Sequence, residues 1–264
     1  MRRFFLRVLA IFAIFIWGSH VGFAGESTEA TAELRILSYN VRNAMGIDRV
    51  TDPDRTAQVI RDVNPDFVMV QELDCKTQRS GGMDRLAELA ERTEMVATFG
   101  PAIEFQGGQY GVGLLSKEKP LRSRTVPLPG REERRALLIV EFSEYVCFCT
   151  HFSLTPEDRL ASVEIIAEER EKYDEIPIFL AGDFNAEPEE TPIVELKKDW
   201  KLLSVDAPTF PADRPTVQID YVFGAHLPES VQVVESRVLD ASTQSDHRPV
   251  LVVLRHTKVE EESP

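Results

Sequence analysis

Three cysteines in 264 residues are too few for a disulfide framework, and an odd number cannot all pair within one chain. Cys147 and Cys149 lie two apart in a strand-like run, so they point to one face and not at each other, which leaves a bond from Cys75 to either one open. The spacing also lacks the second pair of a structural zinc site, so the three read as small buried hydrophobes. Concentrated positive charge is missing as well. With a formal net charge of -14 and no run of Lys or Arg, the chain lacks the basic stripe by which proteins usually grip long nucleic acid, so nucleic acid is disfavoured as a partner. There is no internal repeat, low-complexity tract or linker beyond the N-terminal segment. A hydrophobic content of 43% supplies enough apolar surface for a sizeable core in one domain.

The long apolar run is N-terminal. Arg2, Arg3 and Arg7 precede the stretch from Val8 to Trp17, and Gly22, Phe23 and Ala24 close it, so residues 1–24 read as a cleaved export signal. Gly18, Ser19 and His20 interrupt the run before it is long enough to span a bilayer, so no stable membrane span is expected once the leader is removed. RRFFLR resembles a twin-arginine signal, with Met1 where that pattern prefers Ser or Thr, so two export routes stay open. The leader carries three cations and no acid, so its loss takes the formal charge from -14 to -17. The expected organisation is a flexible segment at 25–33, a catalytic domain at 34–255 and a solvated acidic tail at 256–264, in a periplasmic or extracellular protein.

Periodicity predicts strands at 34–41 and 67–71, with a helix between them that starts at Asp52 and Pro53 and buries Ala57, Ile60 and Val63. A second helix is expected over 82–94, then four strands between 96 and 126 separated by Gly and Pro, and two more at 136–142 and 145–151. Thr155 with Pro156 and Asp158 is an N-cap signature for a helix reaching about 173. A strand at 176–181, a short helix at 192–197 and strands at 219–223, 231–238 and 249–254 complete the chain. Many strands with only some helices between them suggest packed sheets with helices outside.

Polar residues gather where these apolar runs end: SYN at 38–40, QE at 71–72, THF at 150–152, GDFN at 182–185 and SDHRPV at 245–250. Phosphoester cleavage needs charge neutralised on the phosphoryl oxygens, a water aligned opposite the leaving group, and a stabilised leaving oxygen. Glu72 and Asp246 are candidate ligands for magnesium, a hard ion suited to carboxylate and amide oxygens, with manganese as the alternative. Asp183 and Asn185 are aimed into one cleft if the chain is still extended there, one to orient the water and the other to donate to the phosphoryl oxygen; taken alone, GDFN is also a good turn. His247 is a candidate base or phosphoryl ligand, and Asp220 a candidate partner for its other ring nitrogen. His151, Asn40 and Arg42 end or follow strands and complete the set, Arg42 as a phosphate ligand.

Taken together, SYNVR, VQE, GQYG, THF, GDFN, IDYVF and SDHRPV resemble, in order, the endonuclease/exonuclease/phosphatase superfamily over 34–254. The resemblance implies a four-layer α/β/β/α sandwich of two packed mixed sheets, with the site at one end. It implies metal-site roles for Asn40 and Glu72, with Asp246 a further ligand, and a water-orienting and transition-state pair in Asp183 and Asn185. It also implies a His247–Asp220 dyad, a second histidine in His151 and a phosphate contact from Tyr110. Arg42 stands where some abasic-site enzymes of the superfamily carry an acid, and the spacing between motifs is too short for long substrate-gripping loops. The expected activity is that of an exported phosphoesterase acting on a phosphodiester or phosphomonoester, small or lipid-derived. The alternatives are a secreted nuclease and a catalytically silent binding module on the same fold.

Overall fold

The computed structural model describes residues 32–173 and 175–256. The leader, nearly all of the segment at 25–33 and the tail beyond its first residue lie outside the described residues. Among the described residues no helix is long and apolar enough to cross a membrane.

One six-stranded sheet contains β1 (Ala32–Asn40), β2 (Phe67–Cys75), β3 (Val96–Phe105), β4 (Gly108–Ser116), β11 (Val231–Val238) and β12 (Val250–His256), in the order β11-β12-β1-β2-β4-β3. The other contains β5 (Arg122–Leu128), β6 (Arg135–Glu141), β7 (Val146–His151), β8 (Ile178–Asp183), β9 (Lys201–Leu202) and β10 (Asp220–Ala225), in the order β5-β6-β7-β8-β10-β9. Strands β1 and β2 run parallel, as do β7 and β8, and the other pairings are antiparallel.

Side chains alternate across each strand, so every central strand contributes to two cores. Ile36, Met69, Leu114, Cys147, Phe179, Val222 and Val252 meet between the sheets. Leu37, Val70 and Leu251 face outward onto α1 (Pro53–Val63) and α2 (Arg85–Thr93), while Phe148, Leu180 and Phe223 face outward onto α3 (Pro156–Arg170) and α4 (Thr191–Asp199). The four-layer sandwich is therefore present.

Helix α1 starts as the sequence indicates, with Asp52 accepting from the Asp54 and Arg55 amides and Pro53 in the first turn. Two expectations need correction, and the cysteine question is closed. Only three strands lie between 96 and 126: β3 runs on through Gly100 and Pro101 with a register shift at Pro101/Ile103, which an edge strand tolerates because a proline there removes no essential ladder bond. Thr155 occupies the N-cap position of α3 without capping it, because its hydroxyl donates to Glu132 Oε2 at 3.2 Å. All three cysteines are free thiols, Cys147 and Cys149 fully buried between the sheets.

Candidate active site

The inward-facing rows of the central strands are apolar for most of their length and turn polar at one end. On β7 the row runs Cys147, Cys149, His151, and on β8 it runs Phe179, Ala181, Asp183. Register sets His151 beside Asp183, and Asp183 beside Asp220 on β10. In the opposite sheet Ile36, Ser38 and Asn40 form the matching row on β1, with Asn40 beside Gln71 on β2. Gly182 permits the tight approach of β7 to β8 next to Asp183, since a Cβ there would lie 2.0 Å from the Thr150 carbonyl oxygen.

Strict alternation would turn Glu72 away from this row. A bulge between Val70 and Leu73 breaks the register with β4, and Glu72 takes a left-handed φ of 61°, which brings its carboxylate to Asn40. Bulges of this kind re-aim a side chain at a functional end of a sheet.

Asp183 Oδ2 is the hub. It accepts from Asn40 Nδ2 at 3.0 Å and lies 3.5 Å from Nε2 of both His151 and His247, while Oδ1 accepts from the Asn185 amide at 2.9 Å. The Asn40 amide nitrogen also donates to Glu72 Oε1 at 2.9 Å, and its Oδ1 accepts from the Arg42 amide. Placed between two carboxylates, the atom facing them must be the donor, so Asn40 links Glu72 to Asp183 and does not itself present an oxygen there.

His247 is held on three sides. Its Nδ1 lies 2.9 Å from Asp220 Oδ2, the Phe210 ring packs at 4.9 Å between centroids, and Ser245 Oγ accepts from its backbone amide while donating to the Asn40 carbonyl at 2.7 Å. Asp220 Oδ2 also accepts from Thr209 Oγ1 at 2.5 Å. Burial opposes charge on the imidazole, but Asp220 and Asp183 outweigh it and raise its pKa to about 10, so the ring is a cationic donor at neutral pH. Burial pushes the Asp183 carboxyl up to about 7, against the pull of His247.

The two histidines differ. Burial, then the charges of Arg135 and His247, hold His151 well below its ordinary range, so it is neutral. Arg135 Nη1 lies 3.4 Å from His151 Nδ1; a guanidinium only donates, so Nδ1 is the acceptor and Nε2 carries the hydrogen that faces Asp183. Arg135 was hidden in the charged run REERR, which reads as surface; its burial at the start of β6 is a tertiary fact. Thr209 was likewise not predicted.

The remaining predicted residues surround this hub. Asn185 has a left-handed φ of 47° and its side-chain Nδ2 donates to the Phe152 carbonyl at 2.9 Å, so the chain turns here and is not extended as the spacing suggested. Arg42 lies in a left-handed turn and pairs with Asp246 Oδ2 at 3.3 Å, facing that carboxylate at the rim. Tyr110 on β4 is buried near Glu72 and Glu133, and Arg79 stacks over its ring at 5.4 Å.

Among the described residues, Asp183, Asp220 and His247 have ligand atoms within 4.8 Å of one another. Within this trio His247 Nδ1 bonds Asp220 Oδ2 and Nε2 lies 3.5 Å from Asp183 Oδ2, while Asp220 Oδ1 is buried without a hydrogen-bond partner among the described residues. Glu72 and Asp246 could hold a cation: burial raises the Glu72 pKa, and the Asp246 charge raises it further despite the Asn40 hydrogen bond. Carboxylate oxygens are hard ligands of the kind a divalent ion such as magnesium takes, and Asp246 shares its charge with Arg42 at 3.3 Å. A separate cleft of about 340 Å³ lies near the far end of β5, but its Arg122, Arg124 and Lys172 are each paired with Glu141 or Glu169.

The sequence model of the Endonuclease/Exonuclease/phosphatase family matches residues 37–247. No curated protein matches the chain. Among solved structures it is similar to an endonuclease/exonuclease/phosphatase from Beutenbergia cavernae (24% identity, 85% of this chain and 72% of that one, TM-score 0.70). It is also similar to one from Bacteroides vulgatus (19%, 85% and 99%, TM-score 0.70) and to the mannosyl-6-phosphatase Bt3783 of Bacteroides thetaiotaomicron (19%, 84% and 99%, TM-score 0.68). At these identities the structural likenesses speak for the fold alone.

Proposed function

Because the chain belongs to the endonuclease/exonuclease/phosphatase family, whose members are hydrolases acting on phosphoesters, we propose that it is an exported, divalent-metal-dependent phosphoesterase acting on a small phosphomonoester or phosphodiester. The observation that carries this reading is the convergence of Asn40, His151 and His247 on one oxygen of Asp183, with Glu72 tied into the same network.

A magnesium ion held by Glu72 and Asp246 would neutralise charge on the phosphoryl group. Asp183, with a pKa near neutrality, orients the attacking water and takes its proton. Protonated His247 donates from Nε2 to a phosphoryl oxygen, while Asp220 and Thr209 hold the ring through Nδ1. Neutral His151 offers a second Nε2–H donor on the other side of Asp183. Asn40 keeps Glu72 and Asp183 apart and in place.

The mannosyl-6-phosphatase neighbour favours a phosphorylated sugar as the first compound to try. The net charge of -14 disfavours a long polyanion. The deciding experiment is a magnesium-supplemented screen of the purified protein against sugar phosphates, glycerophosphodiesters, sphingomyelin, inositol phosphates, RNA and plasmid DNA. Turnover of a small phosphoester supports the proposal, degradation of nucleic acid replaces it with the nuclease reading, and binding without turnover of any of these would make the chain a silent module.

A further inference from the structure

Two consecutive glutamates on the loop between β5 and β6 are held in opposite ways. Glu132 is chiefly an anchor: its carboxylate accepts from Ser153 Oγ at 2.8 Å, from the Leu154 amide at 2.8 Å and from Thr155 Oγ1 at 3.2 Å, all on the loop that follows His151, and it meets Arg135 Nη2 at the longer distance of 3.5 Å. Among the described residues the Glu133 carboxylate has a single hydrogen-bond partner, Arg135 Nη1 at 3.0 Å. It enters a narrow cleft lined by Tyr110, Gly111, Arg135 and His151. Burial raises its pKa although Arg135 and Arg79 both pull it down, so this carboxylate is less well solvated there than it would be in water.

Arg135 is 7% exposed, and its Nε has no hydrogen-bond partner. A buried guanidinium with an unused donor, beside a tyrosine and one imidazole away from Asp183, is the chemistry of an anion subsite. The anion in it is the chain's own.

We propose that Arg135 and Tyr110 form an anion subsite beside the reaction centre, that Glu133 occupies it, and that Glu133 thereby restricts the enzyme to phosphoesters whose remaining part is uncharged. This deepens the proposed function and rests on it for the substrate class, while the subsite rests on the geometry alone. A substrate with a second phosphate or carboxylate on that side meets the Glu133 charge before it reaches Arg135, and such like-charge juxtaposition costs heavily in a partly desolvated cleft. An uncharged, hydroxyl-bearing remainder meets no such repulsion.

The test has two arms. In the first, kcat/KM is measured for a hexose 6-phosphate and the matching hexose 1,6-bisphosphate with wild type, Glu133→Gln, Glu133→Ala and Glu133→Asp. Wild type should prefer the monophosphate, both neutral variants should move the ratio toward the bisphosphate by about tenfold or more, and Glu133→Asp should move it less. An unchanged ratio in both neutral variants overturns the proposal. In the second arm, inorganic phosphate is titrated without substrate while the Arg135 side-chain nitrogen resonances are followed by NMR. They should shift saturably in Glu133→Gln and Glu133→Ala with a midpoint at least about tenfold lower in phosphate than in wild type; equal midpoints in wild type and both variants, or no saturable shift in either variant, overturns the subsite. Saturable shifts in protein that hydrolyses neither sugar phosphate would retain the subsite and refute the substrate reading, so the two failures are distinguishable.

Discussion

Asn40 and Asp183 belong to different sheets and are 143 positions apart, yet the amide of one donates to the carboxylate of the other at 3.0 Å. The same nitrogen holds Glu72, so one side chain ties the acid proposed to bind the cation to the acid proposed to orient the water. Removing it leaves two buried carboxylates facing each other. Asn40→Ala should lower turnover by about a hundredfold, and Asn40→Asp should lower it at least as far by adding a third negative charge. Steady-state kinetics on folded variants checks both.

His247→Ala should leave a folded protein whose turnover is reduced by at least about a hundredfold, because a donor to the phosphoryl oxygen is lost. Asp220→Asn should lower the His247 pKa from its raised position, since Asp220 is the leading contributor among the groups that raise it. Imidazole resonances followed against pH report that shift independently of activity.

Chelation should abolish activity, with magnesium or manganese restoring it. Glu72 also has a cost in the metal-free protein, where burial and the Asp246 charge both oppose its ionisation. Glu72→Gln should therefore melt higher than wild type without metal, by a few degrees for a gain of about 1 kcal/mol. Adding magnesium should raise the melting temperature of wild type and leave the variant unmoved. A thermal scan with and without metal reads out both effects.

Burial opposes ionisation of Glu132, but its bonds from the Leu154 amide, Ser153 and Thr155 win and lower its pKa to about 2 from an ordinary 4.5. A depressed carboxyl contributes stability that is present above the ordinary value and is lost as pH falls through the folded one. Glu132→Gln should thus cost about 1 kcal/mol near neutrality. That deficit relative to wild type should shrink between about pH 4.5 and about pH 2. Urea unfolding of both proteins over this range measures it.

Gly182→Ala should destabilise by about 3 kcal/mol, because the new methyl meets the Thr150 carbonyl oxygen in the β7/β8 ladder. The displaced strand carries Asp183, so turnover should fall with stability. Denaturant unfolding and kinetics on the same preparation separate the two losses.

The fold was legible where local signals and tertiary demands agree. Asp52 with Pro53 starts α1, and period-two apolar runs mark most strands. The apolar-to-polar change at their ends exposes Asn40, His151 and Asp183 directly. What stayed hidden depends on geometry that no local pattern encodes. Glu72 reaches the site only because β2 bulges, and the turn at Asn185 needs a left-handed residue that the extended reading missed. Arg135 and Glu133 sit in a run whose charge suggests solvent, and Thr155 gave its hydroxyl to Glu132 instead of to its helix.

The strand β12 closes the first sheet by pairing with β1, and the Ser245 hydroxyl just before it locks onto the Asn40 carbonyl across 205 positions. His247 and Asp246 are thus among the last parts of the domain to be synthesised, and they meet residues among the first. A nascent chain on the ribosome has every strand through β11 before it owns Asp246 and His247, so the candidate site is complete only once the late end of the domain has met its early one.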